Sequence, residues 1–131
     1  MNYLIDTDII IYSLKNHGTV NKNMKTKINS PKSISVITYG ELIYGAQKSA
    51  HIQKNLARVR RVGELFPVIN ITPAIMDTFG LLKADLGKKG TIIDDMDLLI
   101  ASTALTHNLV LVTNNIKHFQ RFEGLKTENW T

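Results

Sequence analysis

The chain has no cysteine. Disulfides and thiolate metal sites are therefore excluded, and any metal must be held by oxygen or imidazole ligands. The same absence fits a reducing compartment. Long hydrophobic runs are also missing, and none approaches the roughly 20 residues that span a bilayer. The apolar stretch Met1–Ile11 is interrupted by Asp6 and Asp8, and no basic region precedes it, so it does not have the pattern of a leader. No repeat, low-complexity tract or linker is present. The expectation is a soluble, cytoplasmic protein with no membrane partner.

Acidic residues are the minority, 11 against 16 Lys and Arg, for a formal net charge of +5. Such a balance favours a polyanionic partner, because attraction to phosphate is the main sequence-independent part of nucleic-acid affinity. Lys22, Lys25, Lys27 and Lys32 crowd one segment and Arg58, Arg60 and Arg61 another. With 131 residues, 44% of them hydrophobic, the chain suits one globular domain over its whole length.

Periodicity predicts short apolar strands alternating with helices. Strands are expected at 2–5, 33–36, 67–71, 109–112 and 125–127. Helices are expected from Asp8 to Lys15, from Ile37 to Lys48, from His51 to Phe66, from Pro73 to the glycines at 87 and 90, from Asp94 to His107, and over 115–122. Gly18 reads as a helix stop, with a polar, lysine-rich segment following to Pro31. Nothing resembles a hairpin. The pattern predicts an α/β fold: a mostly parallel central sheet of about five short strands with helices on both faces.

Sheets of this kind carry their sites beyond the carboxyl ends of the strands. Asp6 follows the first strand, Glu41 lies one turn into the helix after the second, and Thr113, Asn114 and Asn115 follow the fourth. Asp97 opens the helix leading into that fourth strand and returns to the same rim. Each acid has a plain alternative as a helix cap: Asp6 before Thr7, Thr38 with Glu41 and Asp94 with Asp97 as capping boxes. Two carboxylates about 4 Å apart repel by roughly 4 kcal/mol at an effective dielectric near 20. Three on one rim need compensation, and Mg²⁺ or Mn²⁺ with oxygen ligands provides it. Such a site suits metal-activated water attacking a phosphodiester. The four histidines show no shared metal spacing and read as surface or loop residues, and Asn108 reads as a left-handed cap.

Four segments in order resemble the PIN-domain family, and within it the VapC-like toxins. They are Tyr3-Leu-Ile-Asp-Thr-Asp-Ile, Ser35-Val-Ile-Thr-Tyr-Gly-Glu-Leu-Ile-Tyr-Gly, Ile93-Asp-Asp-Met-Asp-Leu-Leu-Ile-Ala, and Leu111-Val-Thr-Asn-Asn-Ile-Lys-His-Phe with Gly124-Leu-Lys-Thr-Glu-Asn-Trp. The resemblance implies a metal-dependent endoribonuclease with Asp6, Glu41 and Asp97 as metal ligands. Thr113 would hydrogen-bond a carboxylate or bound water. The family's fourth acid falls at Asn115 or at His118, which leaves one or two metals open. Asp94 and Asp95 would cap the helix or stand behind the ligands, with Asp94, one turn from Asp97, open as a further ligand. The resemblance further implies a cognate VapB-like antitoxin lying in the active-site groove, operator DNA bound only through that antitoxin, and a homodimer. Tyr12, Tyr39, Tyr44 and Phe79 would line the groove or the dimer contact, or simply pack in the core. Transfer RNA and ribosomal RNA are both open as targets. The alternatives are a catalytically silent RNA-binding regulator, which an asparagine at 115 favours, and a DNA nuclease with the same site.

Overall fold

The first strand, β1 (Tyr3–Ile5), is buried at all three positions and feeds two separate cores. The computed structural model of the protein describes residues 2–131. Successive side chains of a strand point to opposite faces. Tyr3 and Ile5 accordingly join one apolar cluster and Leu4 the other. β4 (Val110–Val112) repeats the division, with Val110 and Val112 on one side and Leu111 on the other. Strands buried on both faces belong in a parallel sheet covered by helices. That sheet has five strands in the order β3-β2-β1-β4-β5, every neighbouring pair parallel. β2 is Lys32–Ser35, β3 Val68–Ile69 and β5 Thr127–Glu128.

One face is covered by α1 (Thr7–Leu14), α2 (Gly18–Thr26), α3 (Val36–Gln47) and α4 (Ile52–Leu65), through Ile9, Val20, Leu42 and Val59. The other carries α5 (Pro73–Lys88), α6 (Asp95–Thr106) and α7 (Ile116–Phe119), through Leu86, Ile100 and Phe119. Full burial of one such Leu or Ile contributes about 1.5–3 kcal/mol. α6 is the most enclosed helix. Its buried Ser102 and Thr103 donate their hydroxyls to Leu98 O and Leu99 O one turn back, so no polar group there is left unmet.

Two sequence expectations fail for local reasons. The segment after Gly18 is the helix α2. Asn16, at φ 62°, makes the left-handed turn after α1, and His17 then caps α2 by accepting from Val20 N–H at Nδ1, 3.2 Å away. One apolar face, buried Val20 with Met24 packed beside it, is too slight a pattern to stand out among the lysines. The proposed Thr38–Glu41 capping box is also overturned. α3 begins a turn earlier, capped by Ser35 Oγ accepting from Ile37 N–H at 3.0 Å, and Thr38 lies buried within the helix. The run Ser33–Val36 is apolar enough to read as strand to its end, yet the strand stops at Ser35 because that residue turns to cap.

The chain builds β1, β2 and β3 outward in one direction, then returns to place β4 and β5 on the other side of β1. The connections leaving β1 and β4 therefore depart to opposite faces. An open crevice results at the carboxyl ends of those two strands.

Candidate functional site

The β1–β4 register decides the first contact at that crevice. Ile5 is paired with Val112, and Asp6 N–H donates to Val112 O at 2.9 Å, so Asp6 and Thr113 leave the sheet side by side. Thr113 is fully buried and donates its hydroxyl to Asp6 Oδ2 at 2.8 Å. The other carboxylate oxygen caps α1, accepting from Thr7 N–H at 2.8 Å. Thr113 Oγ1 accepts in turn from Asn115 N–H at 3.0 Å, which ties the loop after β4 to the same carboxylate.

Asp8, in the first turn of α1, was absent from the sequence-derived set. Its Oδ2 accepts from Asn114 N–H at 3.1 Å, while Oδ1 is buried with no hydrogen-bond partner. The available signal is two acids two residues apart, straddling a strand end and a helix start. Asp97, in the first turn of α6, is half-buried, and His118 Nε2 lies 3.1 Å from its Oδ2. His118, expected either as a surface or loop histidine or as the place of the family's fourth acid, is half-buried: α7, starting beyond β4, carries it back over the site. Asp94 caps α6 by accepting from Met96 N–H at 3.2 Å, and Asp95 turns away to pair with Lys83 at 2.9 Å.

Glu41 stands apart from this group. It is exposed on α3, and its Oε1 accepts from Thr7 Oγ1 at 2.7 Å, which also meets Thr38 Oγ1 at 3.0 Å. Thr7 is therefore the link between Glu41 and Asp6. Asn115 is exposed, and its side chain makes no cap bond to α7. As placed, and among the described residues, no three acidic or imidazole groups gather closely enough to enclose one ion.

The electrostatics are nonetheless strained in one direction. Burial pushes the Asp6 carboxyl up to about 7, the neighbouring Asp8 charge adds to this and Asp97 contributes further, against the lowering by Thr113 and by Thr7 N–H. Burial likewise raises Asp8, with the Asn114 N–H opposing. Asp97 is raised by burial above all, and His118 partly offsets it. Desolvation outweighs the hydrogen bonds at each, so these carboxylates lack compensating positive charge. Oxygen donors of this kind, one without a partner, are the chemistry that Mg²⁺ and Mn²⁺ take. Beside them, a groove of about 400 Å³ runs from Glu41 between α1, α3 and α4, apolar at Ile11, Leu42 and Val59 and basic at Lys15 and Arg58.

Replacing Thr113 tests the internal bracing. Thr113→Val keeps the shape but leaves Asp6 Oδ2 and Asn115 N–H without that hydroxyl. It is expected to cost about 1–3 kcal/mol by urea denaturation at pH 8, with Thr113→Ser close to wild type. Equal stability for Val and Ser would mean the hydroxyl carries no weight there.

The PIN domain pattern matches residues 3–125. The chain is 34% identical over 130 residues to "Ribonuclease VapC2" of Haemophilus influenzae, covering 99% of this chain and 98% of that one. It is 37% identical over 134 residues to "tRNA(fMet)-specific endonuclease VapC" of Salmonella typhimurium, covering 99% and 98%. Among solved structures, VapBC2 from Rickettsia felis bound to a promoter DNA fragment superposes with a TM-score of 0.93 at 35% identity, over the full length of both chains. With a five-stranded parallel sheet, acids at the ends of β1 and at the start of α6, and likeness to these proteins from end to end, the chain belongs to the PIN-domain family.

Proposed function

We propose that the protein is a Mg²⁺- or Mn²⁺-dependent endoribonuclease and the toxin of a toxin–antitoxin pair. The observation that carries this reading is Asp6: a buried carboxyl at the end of β1, pushed up to about 7 beside Asp8 and Asp97. The names of the VapC relatives, ribonuclease and tRNA-specific endonuclease, support the reaction class. Asp6, Glu41 and Asp97 would hold the cation, with Asp8 close by. A divalent cation supplies, when bound, charge against the phosphodiester oxygens and a more acidic water.

The chain's own residues do the rest. Thr113 and Thr7 N–H fix the Asp6 carboxylate in one orientation, and Thr7 Oγ1 holds Glu41 toward it. Asn114 N–H fixes Asp8. Asn115, at the rim, offers an amide to a water or to substrate. Exposed basic residues, among them Lys117 next to His118, bind the RNA backbone by a salt-sensitive attraction.

The partner is a VapB-like antitoxin. Its chain would lie in the groove that starts at Glu41, apolar side chains against Ile11, Leu42 and Val59 and a basic one among the acids. Operator DNA is reached through the antitoxin, in keeping with the promoter-bound VapBC complexes among the similar structures. Two copies pair, with exposed Leu81, Ile92 and Met96 as apolar area for that contact.

The deciding experiment offers matched RNA and DNA strands to the purified protein with Mg²⁺, with Mn²⁺ and with chelator. Cleavage of RNA alone, abolished by chelator, is the expected result. RNA binding without cutting in any ion would make it a silent regulator, and equal cutting of DNA would make it a general nuclease.

A further inference from the structure

We propose that His118 donates an imidazole nitrogen to the cation that Asp97 helps to hold, and that this nitrogen tilts the site toward Mn²⁺ over Mg²⁺. The inference rests on the metal-dependent reading above and goes beyond the all-oxygen ligand set given there.

Three observations carry it. His118 Nε2 is shielded from solvent and makes no hydrogen bond, although it lies 3.1 Å from Asp97 Oδ2. The two atoms are close enough for an ion pair but not aligned for a ring N–H to donate. Nearly all buried polar atoms find a partner, so an orphaned ring nitrogen beside a carboxylate asks for a reason. Second, the ring is held. Its edge packs against Phe119, centroids 5.1 Å apart at 79°, and its backbone N–H donates to Asn115 O at 3.1 Å, one turn from β4. A ligand whose orientation is already fixed loses little freedom on binding. Third, Asp8 Oδ1 is a second buried orphan, on a carboxyl near enough to feel the Asp97 charge. Among the described residues the unmet buried side-chain atoms are thus one nitrogen and one oxygen, a mixed set. Imidazole is a borderline ligand that suits transition metals, whereas Mg²⁺ takes hard oxygen. A plain ion pair with Asp97 would use His118 differently, as a cation that occupies the carboxylate and competes with metal.

Mn²⁺ alone is the probe. The wild-type protein is loaded with it and examined by electron spin-echo modulation, first at natural abundance and then grown on ¹⁵N-histidine. A histidine nitrogen bound to Mn²⁺ gives ¹⁴N modulation that changes to the ¹⁵N pattern, with no mutation involved. His118→Gln should abolish that modulation, and calorimetric titration should show Mn²⁺ binding weakened about tenfold or more while Mg²⁺ binding changes by less than about threefold. Bound Mn²⁺ without nitrogen modulation overturns the proposal and leaves the metal-dependent nuclease standing. Tighter Mn²⁺ binding in His118→Gln also overturns it, in favour of the ion pair. If the wild type binds neither ion, both readings fall together.

Discussion

Asp6→Asn should raise the melting temperature in chelator-containing buffer at pH 8 and remove ribonuclease activity at the same time. The stability gain comes from the charge. In the folded protein the Asp6 carboxyl keeps its proton up to about 7, whereas 3.8 is its ordinary value. Between those values the folded state binds more protons than the unfolded chain, so stability falls as pH rises through that window and stays low above it. A shift of this size corresponds to a few kcal/mol, on the order of 1.4 for each pH unit. Asparagine carries no such penalty. Its carbonyl can still accept from Thr7 N–H, and its amide can face Thr113 Oγ1, so the contacts largely persist. The advantage of the variant should therefore be greatest at pH 8 and shrink steadily toward pH 4, as followed by thermal melts across that range. A lower melting temperature for Asp6→Asn at pH 8 would mean that Asp6 is a helix cap and nothing more.

Adding Mg²⁺ or Mn²⁺ should reverse the ranking. An ion at about 100 times its dissociation constant stabilises by about 2.7 kcal/mol, and only the wild type has the full charge to collect it. Activity moves the opposite way. Charge stabilisation by a bound metal is worth several kcal/mol in the transition state, and each 1.36 kcal/mol is about tenfold in rate. A loss of about 10³-fold or more is expected for Asp6→Asn, measured on a short RNA under single-turnover conditions.

The sheet was legible because β1 and β4 are short runs apolar at successive positions, as suits a strand buried on both faces. α2 was not, since a single buried valine in the whole helix cannot be told from a loop by periodicity, and its cap is a histidine ring. At the site, Asp6 and Thr113 could be placed from strand ends and Asp97 from a helix start, as each sits within one turn of such a boundary. Asp8 was hidden for a different reason, and His118 stood in the sequence only as one of two places for the family's fourth acid. Their importance lies in contacts across the fold, Asp8 with Asn114 and His118 with Asp97, and spacing along the chain carries no trace of either. Glu41 shows the converse: the sequence places it on the rim, but its side chain is engaged by Thr7.

That engagement makes Glu41 the residue whose membership most needs a separate measurement. Asp97→Asn and Glu41→Gln should each lower RNA cleavage by about 10³-fold, by the same argument from lost transition-state charge. If the two carboxylates serve one cation, removing the second after the first has little left to destroy, because groups that act as a unit are strongly non-additive. The double variant should then fall within about tenfold of either single one. Independent action would multiply the losses, to about 10⁶-fold. The intermediate case is informative as well. Glu41 is exposed and reaches Asp6 through Thr7 Oγ1, so Thr7→Val removes the bridge without touching a carboxylate. Thr7→Val should cost less than Glu41→Gln and should cost nothing further once Glu41 is gone. A Thr7→Val loss that persists undiminished in the Glu41→Gln background would mean that the Thr7 hydroxyl serves Asp6 or Thr38 instead, and that Glu41 works outside the group formed by Asp6, Asp8 and Asp97.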